Sequence, residues 1–172
     1  MKIALVQGRL KSDRPADNLD YIKTALKREE WKDVQLAVFP AQCLRGALGP
    51  RALNRPGLEV QCKKVWEDFL SLSAGHPKTA MSSSSLNIVD GRPLEEAFVV
   101  RGGEVLARGR GEGDGPLTCD LDGQVLALYP SDLKARDIDA SETDLMISLK
   151  NQLFQGEPYF PPAVTGARAW RM

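Results

Sequence analysis
The sequence predicts one α/β domain organised around a mixed β-sheet, and three observations support that fold class. Two compact apolar runs, residues 2–7 and 34–39, bracket a stretch in which Leu19, Ile22 and Leu26 recur at three- and four-residue spacing, the period of a helix with one buried face. Further on, Gly102-Gly103 and Asp122-Gly123 each separate two apolar segments of strand length, as two-residue hairpin turns do. Helices therefore come early and paired strands late, with no repeat or linker between them. A chain of 172 residues suits one domain better than two. The expected domain is 1–172, with 156–172 as an irregular tail.

The elements follow in order. Residues 2–7 read as a buried strand. The polar stretch Arg9 to Asp17 leads through Pro15 into a helix reaching about Glu30. Val34 to Phe39 is a second buried strand, ended by Pro40. Three glycines and two prolines between Gly46 and Gly57 mark a loop. Leu58, Cys62, Val65, Trp66, Phe69 and Leu70 form a second helical stripe, with Gly75 placed to stop it. Residues 78–86 read as a strand. Ala97–Arg101 and Glu104–Arg108 form one hairpin, and Leu117–Leu121 and Gln124–Tyr129 another. A short helix is expected from Asp132 to about Asp137, and a last apolar strand from Leu145 to Leu149. Gly156 to Pro162 is rich in proline and aromatics and has no period.

Composition narrows the function classes. Twenty-three basic residues balance 23 acidic ones, so neither nucleic acid nor an anionic membrane surface is an expected partner. No apolar run is long enough to span a bilayer. The start Met1-Lys2-Ile3-Ala4-Leu5-Val6-Gln7 lacks the apolar region and cleavage site of a signal peptide, and the expected location is cytoplasmic. Cys43, Cys62 and Cys119 are odd in number, widely spaced and set among apolar neighbours, so buried free thiols are expected rather than a disulfide framework. The single histidine, His76, lies in a Gly-His-Pro loop. With no close Cys-x-x-Cys pair, no metal site is expected. No cofactor is expected either.

The order of motifs is more informative than any one of them. Met1 to Gln7 is followed by a helix, then by Leu36-Ala37-Val38-Phe39-Pro40-Ala41-Gln42-Cys43-Leu44-Arg45-Gly46. Later come the Gly102-Gly103 hairpin, an Asp122-Gly123-Gln124-Val125 strand running into Ser131-Asp132-Leu133, and Thr143-Asp144-Leu145-Met146-Ile147-Ser148. This order resembles the nitrilase, or carbon–nitrogen hydrolase, superfamily, and within it the glutaminase domain of glutamine-dependent NAD synthetases. The resemblance covers residues 1–156 and implies an α-β-β-α sandwich.

The resemblance also implies a reaction. A cysteine thiolate attacks an amide or nitrile carbon, a glutamate moves the protons and a lysine stabilises the oxyanion. The glutamate is expected directly after Phe39-Pro40, where this chain has Ala41. There is no glutamate between Glu30 and Glu59 to restore it. Anchoring on Asp132-Leu133 puts Pro130 at the cysteine position, and no cysteine follows Cys119. No lysine occurs between Lys78 and Lys134. Arg110 lies in the right stretch, but its planar fork does not replace a lysine point charge. Losing one oxyanion donor costs about 100- to 1,000-fold in rate, and losing a nucleophile on the order of a million-fold. The expectation is therefore a scaffold, regulatory or binding subunit with no catalytic residue at Ala41 or Pro130. The alternative is an amidase or glutaminase with relocated or partner-supplied groups. Cys43, two residues from Ala41, is the candidate nucleophile for it, although no glutamate or histidine lies near it in sequence to activate it.

Other motifs have plainer readings. Gly109-x-Gly111-x-Gly113-x-Gly115 precedes Pro116 and a strand, so no helix N-terminus faces a phosphate there. Ser82 to Ser85 lacks a nucleophile elbow and reads as a serine-rich strand end. The tail with Tyr159, Phe160 and Trp170 either docks on a partner or packs on its own domain. The family fold ordinarily takes more chain than this one has. The domain is therefore expected to be incomplete or completed by a second copy in a homodimer. A protein partner or a small amide ligand is also compatible with such a domain.

Overall fold
The computed structural model describes residues 1–8, 10–46, 56–89, 92–110, 116–129, 143–149 and 167–171. The short helix expected at 132–137, the proline-rich stretch 156–162, the glycine loop 111–115 and Pro130 lie outside the described residues.

The first apolar run yields a short strand, β1 (Ile3–Leu5), and the first helical stripe becomes α1 (Pro15–Leu26). Proline at the first helical position costs no hydrogen bond, because that N–H has no intrahelical acceptor. Leu19, Ile22 and Leu26 are buried along one face. The helix ends four residues before the expected Glu30: Arg28 turns extended (ψ 143°) and Glu29–Trp31 form a separate 3-10 turn. Strand β2 (Leu36–Val38) follows, then α2 (Leu58–Ala74), stopped at Gly75. In α2 the buried residues Leu58, Cys62, Val65, Phe69 and Ser73 fall at four-, three-, four- and four-residue steps, a narrow stripe facing the sheet.

Strands β3 (Ala80–Val89), β4 (Arg92–Arg101) and β5 (Glu104–Gly109) complete a first sheet of order β1-β2-β3-β4-β5. Its first three strands are parallel and the last three antiparallel. The second sheet, β6 (Leu117–Leu121), β7 (Gln124–Tyr129), β8 (Leu145–Leu149) and β9 (Ala167–Arg171), has the order β6-β7-β8-β9, with β7 and β8 parallel. Both hairpins turn through residues of positive φ, Gly102 (62°) with Gly103 (85°) and Asp122 (55°) with Gly123 (78°), as primed turns demand.

One expectation fails. Residues 156–172 are not irregular throughout, because Ala167–Arg171 pairs antiparallel with β8, Leu149 opposite Ala167 and Leu145 opposite Arg171. The five residues Ala-Arg-Ala-Trp-Arg are too short and too charged to show a hydrophobic period. The partner strand, not local patterning, makes them a strand.

Two cores result. Between the sheets, Leu36, Val38, Ala80, Ala97 and Val99 meet Leu121, Leu126, Leu128 and Ile147. On the outer face of the first sheet, Phe39, Met81, Phe98 and Val100 pack against Ile22 of α1 and Phe69 of α2.

Candidate functional site
The resemblance directs attention to the end of β2. Pro40 stops the ladder, and the chain from Ala41 to Gly46 wraps across the end of β3. It is held there by the serine run. Phe39 N–H donates to the Ser82 carbonyl (2.9 Å), Ser83 Oγ donates to the Pro40 carbonyl (2.6 Å), and Gln42 N–H donates to Ser84 Oγ (3.0 Å). The serines expected at a strand end therefore lie inside β3 and are buried. Their hydroxyls continue the pairing where β2 leaves off.

Ala41 is 0% exposed and belongs to the aliphatic core between the sheets. Its methyl can neither hold nor move a proton. Cys43, two residues on, falls on the other side of the first sheet, among Phe39, Leu44, Phe69 and Phe98. Burial pushes its thiol up to about 12, against a weaker opposing hydrogen bond from Ser83. At neutral pH the thiol therefore stays protonated, far from a nucleophile's requirement. Cys119 lies in the inter-sheet core and its thiol is likewise pushed up, first by burial and then by Asp120. All three cysteines are free and buried. No cluster of three or more His, Cys, Asp or Glu that could hold a metal occurs among the described residues.

Sequence reasoning missed the polar groups that do gather here. Adjacent residues on a strand point to opposite faces, so Glu95-Glu96 on β4 sends one carboxylate to each side of the sheet. Glu95 takes the inter-sheet parity of Ala97 and Val99. It accepts from Ser84 Oγ and from Gln42 Nε2 (3.2 Å). Gln42 holds a left-handed φ of 54°, a conformation uncommon outside glycine and asparagine. Two hydrogen bonds, one from its backbone and one from its side chain, fix it there. Glu96 accepts from Asn87 Nδ2 (3.1 Å) and Arg108 Nε (3.0 Å) on the outer face. Arg108 lies over the Trp66 ring, 4.3 Å from its centroid. A pair of neighbouring carboxylates directly before the buried run Ala97–Val100 was the available signal.

The third feature is Arg45. It is 4% exposed and ion-paired to Asp13 through Nη2, which also donates to Gln61 Oε1 (3.1 Å). Nη1 reaches the Leu58 carbonyl (3.4 Å) and Cys62 Sγ (3.2 Å). The neighbouring Gly46 has φ 72°, and a Cβ there would sit 2.5 Å from the Lys11 carbonyl oxygen. Between this loop, α2 and the outer face of β3 and β5 lies a cavity of 270 Å³, whose lining includes Gln42, Arg45, Trp66, Ser85 and Arg108.

Neither a family model nor a curated protein sequence matches the chain. Solved structures do. A cysteine-to-alanine variant of the amidase from Nesterenkonia sp. AN1, in complex with butyramide, superposes at a TM-score of 0.66 with 21% identity, over 75% of this chain and 55% of the amidase. A glutamate-to-leucine variant of that amidase, carrying an acetamide moiety on its active site cysteine, gives 0.65 at the same identity and coverage. Glutamine-dependent NAD+ synthetase from Acinetobacter baumannii gives 0.62 at 18% identity, over 74% of this chain and 27% of the synthetase. The amidase is a protein of the nitrilase superfamily. This chain has the nitrilase fold. It spans a little over half the length of the amidase chains and about a quarter of the synthetase. No helix among the described residues is long and apolar enough to cross a membrane.

Proposed function
We propose that the chain is a nitrilase-fold domain without amide hydrolysis, serving as a binding or regulatory subunit. The observation that carries this reading is Ala41: where the nitrilase resemblance calls for a proton-moving glutamate, a methyl group is sealed into the inter-sheet core. The loss of lysine and cysteine at the other two positions in the sequence points the same way. Ammonia release from glutamine and a panel of simple amides, with and without thiol alkylation, tests it. Release at background is the expected result, at a sensitivity covering a millionfold loss. Release abolished by alkylation overturns the reading.

A second reading, a carbon–nitrogen hydrolase with relocated groups, has one supporting feature. Glu95 puts a carboxylate on the same sheet face as Ala41, linked to the neighbouring residue through Gln42. Under that reading Glu95→Gln abolishes a measurable ammonia release; under the first there is none to abolish. A second copy of the chain is part of the proposal as its partner. Strand β1 forms one edge of the first sheet and leaves Leu5 43% exposed, a pairing surface that a copy would cover. A monodisperse monomer in sedimentation at micromolar concentration removes that part. A cytoplasmic location completes the proposal, and cell fractionation checks it.

A further inference from the structure
The cavity under α2 lies mainly on the outer face of the first sheet, with Gln42 and Leu86 at its margin toward the inter-sheet side. Its 270 Å³ has room for a small organic molecule. Its wall is largely apolar, and among the charged groups on it the cations Arg45, Lys63 and Arg108 outnumber the one carboxylate, Glu59. Arg45 Nε and Ser85 Oγ are buried and have no hydrogen-bond partner among the described residues, and both side chains line the cavity. Arg108 is held against Trp66 from one side and by Glu96 at Nε, which leaves the outer edge of its fork for a further acceptor. Lys63, on α2, lines the same space and has no ion pair among the described residues. Glu59, one turn earlier on α2, is the carboxylate of the lining. Leu44, Val65 and the Trp66 ring supply apolar surface.

We propose that this cavity binds a small organic carboxylate with an apolar or aromatic body, its carboxylate on Arg108 and Ser85 and its body against Trp66. A carboxylate has only acceptors to offer, which is what the unpartnered Arg45 Nε and Ser85 Oγ lack. A neutral amide brings donors of its own. Inorganic phosphate has the acceptors but nothing to cover Leu44 and Val65. The inference rests on the binding-domain reading above.

The test is titration calorimetry of the full chain with benzoate, benzamide and inorganic phosphate. Benzoate is expected to bind saturably at one site, at least about tenfold more tightly than either control, the worth of one charge-assisted hydrogen bond. Ser85→Ala should weaken benzoate about fivefold through one lost hydrogen bond. Arg108→Lys, which keeps the charge and loses the fork, should weaken it about tenfold. Unchanged thermal melting of Ser85→Ala and Lys63→Gln shows that the fold is intact, and Lys63→Gln should weaken benzoate about twofold. Benzamide or phosphate binding as tightly as benzoate overturns the proposal. So does the absence of saturable heat with millimolar benzoate, or benzoate affinity indifferent to Ser85→Ala. Ammonia release is read separately. A chain that hydrolyses amides yet binds benzoate through Ser85 keeps this inference and loses the earlier one, and an inert chain that ignores benzoate does the reverse.

Discussion

The two faces of the first sheet bury different chemistry. Toward the second sheet the contacts are aliphatic, Leu36, Val38, Ala97 and Val99 against Leu126, Leu128 and Ile147. Toward the helices they are aromatic: Phe69 meets Phe39 and Phe98 edge-on at 6.4 and 5.4 Å, and Trp66 meets Phe98 at 5.0 Å. Among the described residues the inter-sheet face carries the Glu95 carboxylate at its margin, and the outer side carries the Arg45–Asp13 and Arg108–Glu96 ion pairs and most of the cavity. A sheet between two layers can keep its packing on both sides while the two faces differ in the polar groups they bury. Among the described residues the inter-sheet face is aliphatic at Ala41 and buries Ser82 Oγ without a partner, while Arg45 Nε and Ser85 Oγ are the unpartnered groups toward the helices.

That contrast can be broken at several points. The largest effect is expected at Phe69, 0% exposed at the centre of the ring cluster. Phe69→Ala should cost about 3–5 kcal/mol in urea unfolding, and a loss below about 1 kcal/mol would mean that the aromatic face is not where the stability lies. Next comes Ala41→Glu, which puts a carboxylate into the aliphatic core at a cost on the order of 3 kcal/mol at pH 7. A buried carboxyl has its folded pKa raised, so the neutral form folds better and the destabilisation should ease as pH falls toward the ordinary carboxylate range. A variant as stable as the parent at pH 7 would show an open polar site at Ala41 instead.

Arg45→Met should cost about 2 kcal/mol, less than the roughly 3–5 of a fully buried broken pair, because Asp13 keeps 22% of its side chain in solvent. Full stability in this variant would reduce the Asp13 pairing to decoration. The smallest effect at neutral pH belongs to Cys43→Ala, and its signature is in alkali. The folded thiol is pushed up to about 12, so it stays protonated while the unfolded thiol ionises. Its contribution is complete below the unfolded value near 9 and is lost as pH rises from there to about 12. Cys43→Ala should flatten that alkaline limb of the stability curve, and an unchanged limb would assign it to another group.

Most of the fold was legible because its signals are local. Both hairpins announce themselves in two residues, and α2 shows its stripe from Leu58 to Phe69 without help from the rest of the chain. β9 was illegible because Ala167–Arg171 has no pattern of its own and becomes a strand only against β8. At the site, Ala41 could be read as inert from its residue type alone. Glu95 and Arg45 could not, because their partners Ser84, Gln42, Asp13 and Gln61 come from other elements. Serines read as strand-end punctuation proved to be the rungs that anchor the loop after β2. Side-chain hydroxyls that substitute for backbone pairing leave no periodic trace.

The register of the first sheet also bears on the order in which the molecule assembles. Strand β3 meets β4, and β4 meets β5, through short reversals, whereas the parallel partner of β3, β2, with Leu36 opposite Ala80, must wait for the whole α2 crossover to close. Closing a long loop costs entropy that the contacts beyond it repay only afterwards. The meander from Ala80 to Gly109 is thus positioned to act as the nucleus, with β1 and β2 as late additions, and pulse-labelled amide exchange during refolding should find Phe98 to Val100 protected before Leu36 to Val38.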